Sequence, residues 1–91
     1  MAKIVLVKWN DAADSEETWI DAEDALRFGE VDCTVRSVGF LISKTARYIT
    51  LGGDWDVIDA NYGRVTKIPA SMVLSITELP DPEETEPGVV K

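Results

Sequence analysis

Ninety-one residues, 45% hydrophobic and 29% charged, make one small domain with a modest core. The net charge of −8 excludes a general affinity for duplex nucleic acid, because the phosphate backbone repels an acidic surface. The apolar runs fall far short of the roughly 20 residues a membrane helix needs, no signal-peptide pattern follows "IVLV", and a single cysteine excludes an internal disulfide, so a cytoplasmic chain is expected.

In chain order, "KIVLVKW" (3–9) is β-branched and bounded by "NDAADS", which predicts a strand and then a loop. Asp21 is placed to N-cap a short helix, with Asp24 in the capping-box position. Ala22, Ala25, Leu26 and Phe28 give that helix, near 21–28, an apolar face, and Gly29 is expected to stop it. Two turns do not persist alone, so packing must hold them. "CTVRSVGFLI" (33–42) predicts a long strand bent or bulged at Gly39, "SKTA" a turn, and "RYITL" (47–51) its hairpin partner. "TLGGDWDVIDANYG" (50–63) then connects to a strand at "GRVTKI". Pro69 opens one tight helical turn, "VLSITEL" is the last strand, and Pro80 ends it. The proline-rich acidic segment 80–91 is expected to be disordered.

Charge is segregated along this order. Residues 1–33 hold nine acids against three bases, and residues 78–91 five acids against one base. Residues 34–77 hold five bases against three acids, a mildly basic middle able to hold a small anion.

Five short strands with one curled at a glycine predict a mainly β fold with one short helix: a small five-stranded SH3-like or Sm-like barrel over 1–79. "VGFLISKTARYITL" resembles the Sm-type hairpin, and "KIPASMVLSITEL" resembles the closing part of such barrels, a likeness covering residues 33–79. "VLVKWNDA", "TWIDAEDAL", "VGFLI", "YITL" and "IPASMVLSITEL" together resemble a family of small tailed-phage and prophage accessory proteins. The elements that carry this likeness are Trp9, Asp11, Trp19, Val38, Gly39, Ile68 and Pro69. The resemblance implies a phage or prophage gene acting in a bacterial host cytoplasm. It implies no settled activity and no catalytic residues.

The stretch 50–63 is the one that invites a chemical reading. As a calcium loop it fails: from Asp54, position three is Asp56, but position five is Ile58 and position six is Asp59. Only a looser site from Asp54, Asp56 and Asp59 would remain. As a phosphate loop it fails too, since Gly52-Gly53 is followed by Asp54 and lacks the Gly-Lys-Ser/Thr ending. Catalysis lacks its usual base, because the chain has no histidine. Cys33, at the start of an apolar strand, is expected to be a small buried residue rather than a nucleophile. The expectation is a non-enzymatic protein with no cofactor and no metal.

Three tryptophans are many for this length. Trp9 and Trp19 flank the first loop, and one or both are expected to cap the barrel. Trp55 and Tyr62 sit in the 50–63 stretch with Arg64 beside Tyr62, and Arg47 adjoins Tyr48. An aromatic ring next to Arg can stack a nucleobase and hold its phosphate, or equally anchor a protein interface. The candidate ligand-binding set is therefore Arg36, Lys44, Arg47, Arg64 and Lys67 for charge, with Trp55, Tyr62 and Trp19 for stacking. Two functions fit: an oligomeric sponge that sequesters a nucleotide immune signal (an anti-defence role), or an interaction module whose acidic surface inhibits or redirects a host or phage protein. Homo-oligomerisation is expected because open strand edges need partners. An RNA-binding Sm-type ring is opposed by the charge.

Overall fold

A computed structural model describes residues 2–83. The elements are β1 (Ile4–Asn10), α1 (Ala22–Glu30), β2 (Thr34–Lys44), β3 (Tyr48–Asp56), β4 (Asn61–Pro69), a single 3-10 turn (Ala70–Met72) and β5 (Val73–Leu79). All strand pairs are antiparallel, in the order β4-β3-β2-β1-β5. The protein is mainly β with one helix, as its sequence predicts. The sheet is open: β4 and β5 stand at its two edges, not hydrogen-bonded to each other.

Alternation explains the core. Along β1, Val5 and Val7 point inward, and the register sets them against Gly39 and Ser37 of β2. Ile49, Leu51 and Ile68 complete the buried cluster, with Trp9, Leu41, Val73 and Ile76 packed around it. Five buried hydrophobes among the described residues make a thin core. The outward positions of the same strands carry Leu6 and Lys8 on β1 and Arg36 and Val38 on β2, paired as Leu6 with Val38 and Lys8 with Arg36.

The 50–63 stretch is not a loop. β3 continues through Gly52 and Gly53 to Asp56, a turn spans 57–60, and β4 returns from Asn61, so the segment is a β-hairpin. Trp55 lies opposite Tyr62, and Asp56 opposite Asn61. The turn is fixed by the Asp56 carboxylate, which accepts from the backbone N–H of Ile58 at 3.0 Å and of Asp59 at 3.4 Å. Ala60, at φ 55°, supplies the left-handed residue of that turn.

Gly39 does not bulge. The β2–β3 register shift falls between Leu41 and Ser43 instead. What Gly39 permits is close approach: a Cβ there would stand 2.8 Å from the Gly52 carbonyl oxygen. The helix also differs at its end. Gly29 lies inside it, and Val31 is the C-cap, donating its N–H to the Phe28 carbonyl. Asp21 caps the N-terminus, accepting from the Asp24 N–H at 2.8 Å.

Cys33 is exposed rather than buried, because it precedes β2 at the base of the excursion that carries α1. Trp9 is half-buried and donates its indole N–H to the Ser37 hydroxyl at 3.0 Å. Trp19 is 89% exposed and caps nothing. Of the segment expected to be disordered, residues 84–91 lie outside the described residues. In its described part, the Asp81 carboxylate accepts from the Glu83 N–H. No helix among the described residues is long and apolar enough to cross a membrane.

Candidate binding surfaces

The sheet forks. β2 pairs with β1 along Thr34–Phe40, but with β3 only from Phe40 onward, where Phe40 faces Gly52. Beyond that point the β3–β4 hairpin separates from β2. A cleft of about 410 Å³ opens between them, lined by Ser37, Val38, Leu51, Gly53, Arg64 and Thr66. Arg64, at φ 49°, turns its guanidinium back along the hairpin. It donates to both Asp54 carboxylate oxygens, Nε at 2.8 Å and an Nη at 3.1 Å. These hydrogen bonds hold the Asp54 carboxyl below the usual carboxylate range and raise Arg64, although both groups stand in solvent. Arg64 therefore meets any ligand already neutralised.

A second surface is aromatic. The Trp55 and Tyr62 rings stack at 6.0 Å with 25° between their planes, and Phe40 meets Trp55 edge-on at 5.9 Å. Gly52 makes room for this cluster, since a Cβ there would lie 2.7 Å from the Tyr62 ring. A groove of about 690 Å³ runs beside it, bounded by Ile4, Phe40, Trp55 and Val57, with Asp81 and Glu83 on its rim. Its acidic rim opposes an anion.

A third group gathers at the opposite end of β3. The Lys67 ammonium sits 4.4 Å from the Tyr48 ring centroid, and the Arg47 guanidinium 5.5 Å from it. Lys44 ends β2 and pairs with Ile49, the residue after Tyr48. The Arg47 carbonyl accepts from the Ala70 N–H at 2.8 Å, which ties this turn to the 3-10 turn before β5.

The candidate residues thus fall into separate places. Arg47 and Lys67 come together around Tyr48, whereas Lys44 pairs with Ile49 and so falls on the other face of the strand from Tyr48. Trp55 and Tyr62 come together, but spend facing ring surfaces on each other. Tyr48 and Trp55 are seven residues apart on one strand, about 23 Å at the usual rise, so no mononucleotide reaches both. Arg36 stands beside Lys8 on the outward face of β1 and β2, and Trp19 is far out in the excursion between those strands. The Asp54 carboxylate is held by Arg64 and the Asp56 carboxylate by the backbone N–H groups of Ile58 and Asp59, and among the described residues no three carboxylate or thiol side chains form a metal-binding group.

Missing from the sequence-based set were Tyr48 itself, Ser37 and Thr66 in the fork, and the apolar side chains between the strands. Tyr48 had a legible signal in its neighbour Arg47. The fork had none, since it depends on where β2 and β3 part.

The arm between β1 and β2 stands apart from all three surfaces. Asp11 N–H donates to the Cys33 carbonyl at 2.8 Å, closing its base. Beyond that bond α1 buries no residue, Leu26 is 72% exposed, and Phe28 and Val31 are exposed as well.

These features define an antiparallel β protein with an open five-stranded sheet, a forked face and a projecting acidic arm. No family model, no curated protein and no solved structure matches the chain.

Proposed function

We propose that this is a non-enzymatic interaction module, of the small phage or prophage accessory type, that inhibits or redirects a host or phage protein in the bacterial cytoplasm. The observation that carries this reading is the arm, residues 11–33. It bears nine acids and one base, its helix exposes Leu26 and Phe28, and Trp19, two residues before the Asp21 cap, is exposed as well. Apolar side chains ringed by charge at a projecting site are what a protein partner covers. The finer fold belongs to the same reading. The strand order β4-β3-β2-β1-β5, with one 3-10 turn before β5, supports the SH3-like or Sm-like reading, although the sheet is open rather than the closed barrel expected.

The test is affinity capture from host lysate with the native protein and with Trp19→Ala/Leu26→Ala. One host or phage protein retained in stoichiometric amount by the native chain, and lost with the double variant, is the expected outcome. Equal retention by both would remove the arm from the account.

A second reading, sequestration of a small anionic nucleotide-like signal, is favoured by Arg47 and Lys67 around Tyr48. A nucleotide bound there should lose most of its affinity in Arg47→Glu, while Arg64→Glu should matter little, because Asp54 already neutralises Arg64. Equal losses in both variants would contradict that placement.

A further inference from the structure

We infer that the arm of one copy seats on the outward sheet face of a second copy, so that the protein associates with itself through arm-on-sheet contacts. The inference rests on the reading of the arm as a docking element and names what it docks on in the free protein.

Each half of the contact lies exposed in one chain. α1 has nine residues, too few to persist without cover, since isolated helices shorter than about 12 residues are marginal in water. Yet none of its residues is buried. The sheet has the converse defect. Its outward face carries Val38, 59% exposed at the middle of a central strand, and Val65, 55% exposed on β4, with half-buried Leu6 between strands β2 and β5. A sheet face of this kind is ordinarily polar.

Charge matches the two. Lys8 and Arg36 stand side by side at one end of the apolar strip, and Lys67 at the other. The outward positions of β1, β2 and β5 (Ile4, Leu6, Lys8, Arg36, Val38, Phe40, Ser75, Thr77, Leu79) include no acid. The arm supplies acids at both ends of its helix, Glu23 in the first turn and Glu30 in the last position, while Asp24 is already paired with Arg27 of the same helix. Size matches too. The helix is about 14 Å long, and the stretch of β2 from Arg36 to Ile42 spans about 20 Å.

The arm does not reach its own face. The Asp11–Cys33 bond extends the β1–β2 ladder one step past the Asn10–Thr34 pair, carrying both arm strands away along the strand direction. A second copy presents the same face without that constraint, and a reciprocal pair of arms gives a closed two-fold contact.

Complementation tests this. Leu26→Glu removes the arm's apolar anchor and Val38→Glu blocks the face; both sites are exposed, so both variants should keep the native circular dichroism of the sheet. Sedimentation equilibrium should show native dimers and at least tenfold weaker association for each variant alone. An equimolar mixture should regain association, since the intact arm of Val38→Glu fits the intact face of Leu26→Glu. Reversing Arg36 and Lys67 to Glu should weaken association at low salt, and the difference should shrink once the screening length falls to about 3 Å in molar salt. A monomeric native protein, variants that remain dimeric, or a mixture that fails to associate would each overturn the inference. The capture experiment with Trp19→Ala/Leu26→Ala reads the interaction function separately: a native monomer whose partner is lost with that variant overturns self-docking alone. A complementing dimer that retains its partner regardless of the arm overturns the interaction reading alone.

Discussion

The strands and the arm carry apolar residues in similar proportion but use them differently. Val5, Val7, Ile49, Leu51 and Ile68 vanish into one cluster, whereas Trp19, Leu26, Phe28 and Val31 remain in solvent. Strands bring residues of distant sequence to one face through backbone ladders, so even short apolar runs find cover. The arm makes only local hydrogen bonds above its base, and local bonds bury nothing. Stability therefore resides in the sheet, and binding capacity in the arm.

The largest effects should separate the two most sharply. Ile68→Ala should cost about 2–5 kcal/mol in urea unfolding, because it empties a fully buried site of a five-residue core. Leu26→Ala should change the same midpoint by less than about 0.5 kcal/mol under monomeric conditions. Equal costs would show that α1 is packed within its own chain. Gly39→Ala should cost about 1–3 kcal/mol by overpacking, since its methyl meets the Gly52 carbonyl and neither backbone can yield cheaply. Ser37→Ala should cost about 1 kcal/mol, by leaving the half-buried Trp9 indole N–H without its acceptor. In a Trp19→Phe/Trp55→Phe background, Ser37→Ala should shift the remaining Trp9 emission to the blue, and an unchanged spectrum would count against this route.

Asp21→Ala sharpens the comparison from the arm's side. It removes the cap of α1, about 1 kcal/mol of helix stability, so helical ellipticity should fall while the sheet's unfolding midpoint holds. The smallest effect belongs to Asp54. Arg64 lowers its folded-state pKa, so the pair's contribution is present above the unfolded carboxyl value and fades as pH falls through the depressed one. Asp54→Asn should thus differ slightly from the native protein at neutral pH and converge with it in acid. A difference that grows in acid would refute the pairing.

Much of the fold is written locally. The β-branched runs at 4–7 and 73–77, the Asp21 cap and the Pro69 turn each announce themselves within a few residues, because dihedral preference and capping are short-range. The hairpin at 57–60 was concealed by its composition. Glycines and aspartates ordinarily mark loops, yet Gly52 and Gly53 sit in β3 because rings and a guanidinium occupy the space where their side chains would stand. The site was legible only in part: Arg47 and Lys67 share Tyr48, but Trp55 and Tyr62 found each other, and Arg64 found Asp54.

The sequence by itself determined the mainly β class, the succession of strands and helix along the chain, the helix cap and the division of charge between arm and sheet. Tertiary structure alone decided that Cys33 and Trp19 stand in solvent, that the cations divide among separate places, and that the sheet forks where β2 leaves β3. The reason is physical: propensity and charge act over a few bonds or are sums along the chain, while exposure and proximity depend on which distant strands share a ladder.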